Sequence, residues 1–294
     1  MNRTHALYIF FIVCVAFFGY IVYRVTNEVP LGLFKTHDGL LHVSYLDVGQ
    51  GDASFIESPS GMQVLIDGGR DTSVLTQLPK VMGYFDRTID LIIATHPDMD
   101  HIGGLVHVLK RYDVKAVMMT DNVNDTPAYT AFLEAVKQES VPVLMARRGQ
   151  TYDLGKGSEG STTLAILFPD REMRDAESNT SSIVSRLSYG DADFLFTADS
   201  PQAIETYLVS LSDSVLQSEV LKVGHHGSRT STAAAFAVAV RPAYAIISAG
   251  KDNPYGHPHK EVMDILKEYN VATKNTADLG SIFLVSNGSQ IWPK

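Results

Sequence analysis

Four side chains that commonly bind metal ions crowd one short segment, residues 95–104 (THPDMDHIGG). The apolar run 91–94 before it predicts a buried strand, and apolar residues at helical spacing follow it. The segment is therefore expected to be a tight loop after a strand, with four candidate ligands: His96, Asp98, Asp100 and His101. An aspartate before a helix is an ordinary N-cap, but four ligands at this spacing before a Gly-Gly pair indicate a preassembled cation site.

Two further predicted strands also end in candidate ligands. The strand 193–197 leads to Asp199, which by itself would be interpreted as a helix cap because Ser-Pro follows it. The strand 219–223 leads to His225. Loops at the carboxyl ends of strands collect into one cleft in layered α/β folds. Three such sites in one chain therefore favour a shared metal centre over ordinary packing.

Three motifs resemble the metallo-β-lactamase superfamily, and within it the hydrolase domain of ComEC-type competence proteins. The superfamily signature His-x-His-x-Asp-His occurs as HPDMDH at 96–101, with Asp98 in place of the second histidine. The segments 47–53 (DVGQGDA) and 221–228 (LKVGHHGS) carry the rest of the likeness, which covers roughly residues 40–292. The resemblance implies an α/β fold with mixed sheets, arranged as a four-layer αββα sandwich. The mixture of predicted hairpins and strand–helix crossovers agrees with it.

The resemblance also implies a centre of two divalent metal ions. The ions would be held by six residues: His96 and Asp98 for one ion, Asp100, His101 and His225 for the other, and Asp199 as the bridge. Asp100 is expected to be catalytic as well as a ligand. Two ions roughly 3.5–4 Å apart suit displacement at phosphorus, because one activates the attacking hydroxide while the other stabilises the developing oxyanion. The carboxylate of Asp98 makes the first site harder, which tilts the expected metal from Zn²⁺ towards Mn²⁺.

The likeness is also incomplete at a second position. The superfamily carries a histidine between the metal-binding loop and the bridging aspartate, and this chain has no histidine from 108 to 224. Asn179 falls where ComEC-like domains carry an Asn-x-x-Ser pattern instead. Because an amide is a poor ligand for Zn²⁺, the first ion is expected to be held loosely.

Other acidic and amide residues are expected around the metals. The superfamily uses an aspartate at the position of Asp67 to orient the metal-binding histidines. The alternative for Asp67 is a simple turn at the end of a strand. Asp47, Gln50 and Asp52 lie in the DVGQGD segment and are expected either to line the cleft or to form a tight structural turn.

Several residues in the second half of the chain are candidates for substrate contacts. His226 and Ser228 would contact a substrate phosphate, and His257 or His259, in a segment resembling the Gly-His-Pro-His of the family, would protonate the leaving group. A plain loop or surface role is the alternative for each of them. Lys222 is one of a few local positive charges that would attract an anion.

The overall charge limits how a polyanion could bind. The formal net charge is −9 and the pI is about 5.5, which argues against a broad basic surface of the kind that binds nucleic acid non-specifically. A polyanionic substrate would have to be attracted locally by metal ions and a few cationic side chains. The single cysteine, Cys14, excludes a disulfide bond within one chain.

Residues 6–23 form an uncharged apolar run about as long as the roughly 20 residues that a bilayer-crossing helix needs. A cleavable signal peptide is the alternative, but the run is longer than its usual apolar core and no small-x-small site follows. We expect a short tail (1–5), a single transmembrane anchor (6–23), a tether (24–39) and a hydrolase domain (40–294). The uptake role implied by the resemblance would place that domain outside the cytoplasm.

The leading hypothesis is therefore a membrane-anchored, metal-dependent phosphodiesterase. By resemblance its substrate is DNA, single-stranded DNA above all, and its partner is the DNA-uptake machinery of competence. One alternative keeps the metal cleft but changes the substrate to a small phosphodiester, a thioester or a β-lactam. The other alternative is a non-catalytic, membrane-tethered binding subunit whose metal site is structural or decayed.

Overall fold

Two mixed β-sheets dominate the computed structural model, which describes residues 38–83, 85–211 and 213–294. His37–Val81 and Arg87–Lys294 form one compact unit, and the fold below is that of this unit. The predicted tail, the predicted anchor and most of the predicted tether lie outside the described residues. Within the described ranges, no helix combines the length and the apolar character needed to cross a bilayer.

The first sheet contains the following strands: β1 (Leu41–Tyr45), β2 (Ser54–Glu57), β3 (Gln63–Ile66), β5 (Leu91–Ile93), β7 (Val117–Met119), β8 (Val143–Met145), β16 (Ile282–Ser286) and β17 (Ile291–Pro293). Their order is β17-β16-β1-β2-β3-β5-β7-β8. The neighbours from β17 to β3 pair antiparallel, and those from β3 to β8 pair parallel.

The second sheet contains β9 (Thr151–Gly157), β10 (Gly160–Phe168), β11 (Val184–Tyr189), β12 (Ala192–Phe196), β13 (Val220–Lys222), β14 (Tyr244–Ile247) and β15 (Ala272–Asn275). Its order is β15-β14-β13-β12-β11-β10-β9, with parallel pairing from β12 to β15 and antiparallel pairing elsewhere. Two short strands, β4 (Thr88–Ile89) and β6 (Asp113–Val114), pair separately.

The helices among the described residues are α1 (Val74–Val81), α2 (Met99–Ile102), α3 (Leu105–Leu109), α4 (Pro127–Gln138), α5 (Gln202–Leu211), α6 (Ala234–Val240), α7 (Lys260–Glu268) and α8 (Thr276–Leu279). Helix α4 shows how the sequence sets a boundary. The Thr126 side chain accepts from the Tyr129 amide at the N-cap, and Pro127 occupies the first turn, where its missing amide hydrogen is not needed.

The two sheets share one apolar core. Fully buried residues on the facing sides include Val43 and Val64 of the first sheet and Leu164, Phe194 and Val220 of the second. Each buried aliphatic or aromatic side chain of this kind stabilises the fold by roughly 1.5–3 kcal/mol. This core therefore holds the two sheets together.

Both faces of each sheet are covered. On the outer side of the second sheet, Leu221 belongs to a core with Leu208 of α5 and Phe236 of α6, and a separate core contains residues of β14 and α7. On the first sheet, Leu65 and Ile92 alternate with the inner-facing residues and are also fully buried. The predicted α/β class with mixed sheets is confirmed.

This topology positions the site. The parallel strands β3, β5, β12, β13 and β14 each end just before a segment with candidate polar residues. Because parallel neighbours place their carboxyl ends at the same edge of a sheet, the loops that follow them gather there.

Candidate metal centre

The loop of residues 95–101, which carries the four candidate ligands, is docked against the loop that follows β3. A Cβ on Gly104 would lie 1.9 Å from the carbonyl oxygen of Gly68, so only glycine allows this approach. Beside that contact, the Gly68 amide donates to the His101 carbonyl at 2.8 Å. The Gly-Gly pair after the motif therefore holds His101 beside the loop that carries Asp67.

Five polar side chains from three loops meet at the strand ends: His96, Asp100, His101, Asp199 and His226. His101 Nε2 lies 3.3 Å from Asp199 Oδ1, and His226 Nε2 lies 3.6 Å from Asp199 Oδ2. His226 Nε2 also lies 3.5 Å from Asp100 Oδ2, and the ring centroids of His96 and His101 are 4.0 Å apart. The donor atoms form overlapping groups of three within 4.8 Å, among them His96–His101–Asp199 and Asp100–His101–His226. This donor set suits divalent cations at neighbouring positions.

Several of these donor atoms lack a hydrogen-bond partner within the part of the chain that the structure describes. They are the Nε2 atoms of His96, His101 and His226, and Oδ1 of Asp199, all of them buried. Burying a polar atom without a partner is costly, and natural proteins satisfy nearly all such atoms. Nitrogen and carboxylate oxygen atoms that point at one another are the ligands that Zn²⁺ and Mn²⁺ use. The residues present therefore fit bound metal ions.

The electrostatics of the cluster favour positive charge. Burial by itself would raise the pKa of Asp199, but nearby His226 and His101 outweigh it and hold that pKa well below its usual range. Burial is likewise outweighed at Asp100, whose pKa is lowered to about 2 by its contact with His226 and by His101. Burial would lower the pKa of His226, but Asp199 and Asp52 raise it to about 9. The carboxylates are therefore ionised at neutral pH and attract a proton or a metal ion.

Asp67 fixes the orientation of His101. The His101 Nδ1–H donates to Asp67 Oδ2 at 2.8 Å, so His101 presents Nε2 to the cluster. The Thr95 amide and hydroxyl also donate to Asp67, at 2.9 and 2.7 Å. A carboxylate behind a metal-binding histidine fixes its tautomer and raises its basicity. Sequence reasoning missed Thr95, because nothing in the pattern marks a threonine before the motif as a partner of a residue 28 positions earlier.

His226 is held from behind by a second set of contacts. Its Nδ1–H donates to the Ser248 carbonyl at 2.9 Å, and Asp52 Oδ1 lies 3.2 Å from the same nitrogen. Asp52 Oδ2 in turn lies 2.9 Å from Nζ of Lys222, and the Lys222 ammonium also donates to the Val223 carbonyl at 3.0 Å. Lys222 is 1% exposed. The expectation that Lys222 attracts an anion at the surface is therefore wrong, because its charge is buried against Asp52.

Comparison with known proteins agrees with this geometry. Residues 46–251 match the family model described as "Metallo-beta-lactamase superfamily". The chain belongs to the metallo-β-lactamase superfamily.

The relatives of this superfamily member include competence proteins, as predicted from the motifs. "ComE operon protein 3" of Bacillus subtilis (strain 168) is 30% identical over 257 residues, which are 82% of this chain and 32% of that protein. "Competence protein ComA" of Neisseria gonorrhoeae is 28% identical over 241 residues, 82% of this chain and 31% of that protein. The chain spans about a third of the length of these curated relatives.

Among solved structures, Igni18, described as a novel metallo hydrolase from the archaeon Ignicoccus hospitalis, matches with a TM-score of 0.50 and 14% identity. The match covers 83% of this chain and 98% of that one, and it shows that the two share a fold. This member of the metallo-β-lactamase superfamily thus combines the fold with His and Asp groups able to bind metal ions.

The positions where this chain departs from the superfamily signature are adjacent in space. Asp98 is the N-cap residue of α2 and has an extended backbone conformation, but its side chain makes no capping hydrogen bond. Its carboxylate instead accepts from Ser178 Oγ and lies 3.7 Å from His96 Nε2. Burial raises the pKa of Asp98, although Ser178 opposes this. Oδ1 of Asn179, the next residue, is buried without a hydrogen-bond partner in the described ranges.

The two consecutive histidines of the 221–228 motif take different positions. Both have left-handed backbone conformations, with φ of 48° at His225 and 55° at His226. The structure brings His226, predicted to contact substrate, into the groups of three donors, whereas His225 is absent from them among the described residues. His225 lies beside the cluster, with Nε2 3.6 Å from Asp199 Oδ2 and Nδ1 3.0 Å from Thr230 Oγ1.

Three further predicted residues, Gln50, His257 and His259, contact one another beside the cluster. Gln50 Oε1 accepts from the Gly250 amide at 3.0 Å, and the His257 ring centroid lies 6.1 Å from that of His226. His259 Nδ1 accepts from the Arg229 amide at 3.1 Å.

Ser228 and Asp47 have local partners as well. Ser228 Oγ accepts from the Thr230 hydroxyl at 3.0 Å, and Asp47 Oδ1 accepts from the Gly49 amide at 3.2 Å. The contact of Asp47 is the one expected of a tight turn.

Replacing Asp67 with asparagine is expected to weaken metal affinity roughly 10- to 100-fold, as the loss of such orienting carboxylates typically does. The reason is that the Asp67 carboxylate accepts hydrogen bonds from Thr95 and His101 and so keeps His101 Nε2 directed at the cluster. A neutral asparagine amide has one acceptor oxygen and no negative charge. The measurement is titration of the metal-free protein with Mn²⁺ or Zn²⁺. Asp71→Asn is the control, since Asp71 hydrogen bonds locally to Ser73. Equal affinities in both variants would contradict the role of Asp67.

Proposed function

We propose that this chain is a metal-dependent phosphodiesterase that cleaves DNA during its uptake into the cell. One observation carries the proposal: buried nitrogen and carboxylate donors converge on one point, and within the described ranges they have no hydrogen-bond partner. A decayed site would be expected to fill the gap between its remaining ligands or to pair their buried polar atoms with other groups. The convergence argues against a purely structural scaffold.

We further propose the distribution of ligands. His96, His101 and Asp199 would hold one cation, with Asp98 and Asn179 at the side of His96 as weaker or intermittent ligands. Asp100 and His226 would hold the second cation, with His225 close enough to join it. Bound Mn²⁺ or Zn²⁺ would supply a hydroxide at neutral pH and would offset the negative charge of a phosphate.

The residues of the chain supply orientation and selectivity. Asp67 and the Ser248 carbonyl keep the Nε2 atoms of His101 and His226 directed inwards. Burial, followed by the neighbouring His226, lowers the pKa of His257 to about 4. In the metal-free protein His257 is therefore neutral near pH 7, and a neutral imidazole can hydrogen bond a phosphate oxygen or the leaving group.

One consideration supports DNA as the substrate, and another limits how it could bind. The relatives are competence-related proteins. The charge of −9 also means that a polyanion must be attracted by the metal centre itself, not by the general surface. The relatives are about three times longer than this chain, so the activities of their remaining parts are not carried over to it.

We also propose that residues 6–23 anchor the chain in a membrane and that the hydrolase domain lies outside the cytoplasm, next to the DNA-uptake machinery. The support is the uncharged run of 18 residues, followed by a segment with Pro30 and Gly32 that suits a tether.

The test is cleavage of labelled single-stranded and double-stranded DNA by the full chain, with Mn²⁺, Zn²⁺, Mg²⁺ or a chelator. We expect metal-dependent loss of the single strand, and we expect Asp100→Ala to abolish it. Asp278→Ala, which removes an exposed carboxylate from α8, is the matched control and should keep full activity.

Other outcomes identify the alternatives. If bound metal is confirmed and bis(p-nitrophenyl) phosphate is hydrolysed while DNA stays intact, the substrate is a small phosphodiester and the DNA assignment is wrong. Hydrolysis of a thioester or a β-lactam alone would identify the other metallo-hydrolase classes. Bound metal without hydrolysis of any of these would identify a binding subunit.

A further inference from the structure

An exposed tyrosine ring lies against His257, which neighbours the donor cluster. Tyr255 is 54% exposed, and its ring stacks on that of His257 with centroids 5.6 Å apart and an angle of 24° between the planes. His257 in turn lies 6.1 Å from His226, which belongs to the donor cluster. One imidazole ring therefore separates an exposed aromatic face from the metal centre.

The loop that carries Tyr255 is braced. Asn253 donates from Nδ2 to the carbonyls of Gly250 and His257, at 2.9 and 2.7 Å, and accepts from the His257 amide at 2.9 Å. The Gly250 amide donates to Gln50 Oε1, which ties this loop to the 47–53 segment. An aromatic side chain on a braced loop loses little conformational freedom when a ligand stacks on it.

The ring beside the metal centre favours one class of ligand. A nucleic-acid phosphodiester held at the metal centre carries a sugar and a base, and the base must lie beside the centre. A nucleobase stacks well on an aromatic ring whatever its identity. In a duplex the faces of each base are already covered by its neighbours, so an unpaired base is the one that can use this ring.

We propose that Tyr255, backed by His257, is a stacking platform for the unpaired nucleobase next to the phosphate held at the metal centre. The ligand class is thus a nucleotide of single-stranded nucleic acid, without preference for its sequence. The proposal rests on the proposed function for the position of the phosphate. It explains how a protein with a net charge of −9 would prefer a single strand.

The test compares the binding of dAMP and of inorganic phosphate to the full chain loaded with Mn²⁺, by titration calorimetry. We expect the wild type to bind dAMP about tenfold more tightly than phosphate, as one stacked base warrants. Tyr255→Ala should lose this preference and keep its affinity for phosphate, whereas Tyr255→Phe should retain the preference.

Tyr269→Ala is the matched control. Tyr269 is also exposed, but it follows the last residue of α7, roughly 13 Å along the helix from the end near His259. This variant should bind both ligands like the wild type.

The outcomes separate the two proposals. Equal binding of dAMP and phosphate by the wild type, no binding of dAMP, or a preference that survives in Tyr255→Ala would overturn the platform, whether or not DNA is cleaved. A preference that depends on Tyr255 in a protein that leaves DNA intact would support the platform and refute the nuclease.

Discussion

Asp199→Asn is expected to lower phosphodiester hydrolysis by at least about 100-fold. Replacing a residue that only orients a metal ligand already lowers metal affinity or activity by roughly 10- to 100-fold. Asp199 lies within 3.6 Å of His101, His225 and His226, so it is central to the cluster. An asparagine cannot offer two charged oxygen atoms, and its amide hydrogens would face the imidazole Nε2 atoms and any cation. The bound metal per chain, measured after gel filtration in Mn²⁺, should fall together with the activity.

Asp191→Asn is the matched control for this loss. Asp191 is exposed at the turn between β11 and β12, and β12 is the strand that leads to Asp199. Substitution of Asp191 should change neither metal content nor activity. Circular dichroism should show both variants folded. If Asp199→Asn bound as much metal as the wild type and hydrolysed the substrate at a comparable rate, Asp199 would not be a ligand and the proposed centre would be wrong.

The fold class and the location of the site could be predicted from the sequence for a physical reason. His96, Asp100 and Asp199 each follow an apolar strand by a few residues, and a strand fixes where its carboxyl end lies in the sheet. Local sequence therefore predicted that each of these residues lies at a strand end, and the resemblance to the superfamily predicted that these ends meet. The Gly-Gly pair after the motif supported the prediction of a preassembled site, and the structure shows that Gly104 allows a close approach to the Gly68 carbonyl.

Which of two adjacent histidines joins the donor cluster could not be predicted in the same way. His225 and His226 are adjacent, and left-handed backbone conformations at both residues decide which ring points into the cluster. Neither residue is a glycine, so composition gave no signal of this turn. Position in the motif alone therefore could not separate the buried histidine from the one beside it.

Lys222 shows a second limit of sequence reasoning. A lysine at the end of a strand is usually exposed, and its burial here depends on a carboxylate 170 positions earlier in the chain. Hydrophobic periodicity carries no information about such a distant pair. Only the packing of the 47–53 segment against β13 reveals that Lys222 and Asp52 form one buried unit.

The buried Lys222–Asp52 pair leads to the second prediction with a large expected effect. Lys222→Met should lower the free energy of unfolding by roughly 3–5 kcal/mol, which is typical of removing one partner from a buried ion pair. Methionine matches the length and the apolar stem of lysine, so little packing is lost. What is lost is the charge that compensates Asp52, which is 5% exposed. The measurement is urea unfolding of the metal-free proteins at pH 7.

The pH dependence of this destabilisation tests whether the loss of the Lys222–Asp52 ion pair causes it. Burial alone would raise the pKa of Asp52, but Lys222, followed by His226, holds it below the usual range in the folded protein. The pair thus adds stability above the unfolded pKa of about 3.9, and this stability is lost as the pH falls through the lower folded value. In Lys222→Met the pKa of Asp52 rises, so the destabilisation relative to wild type should be largest near neutral pH and should shrink in acid, where Asp52 becomes protonated.

Two further variants distinguish this cause from simple loss of a lysine. Lys260→Met removes the lysine of an exposed pair with Asp264 on α7, and it should change the free energy of unfolding by less than about 0.5 kcal/mol. Adding Asp52→Asn to Lys222→Met removes the buried charge, so the double variant should recover part of the lost stability. A single variant as stable as the wild type at pH 7, or a double variant less stable than the single one, would show that Lys222 does not compensate Asp52. Recovery of stability without recovery of metal affinity would then indicate that Asp52 also supports His226 at the centre.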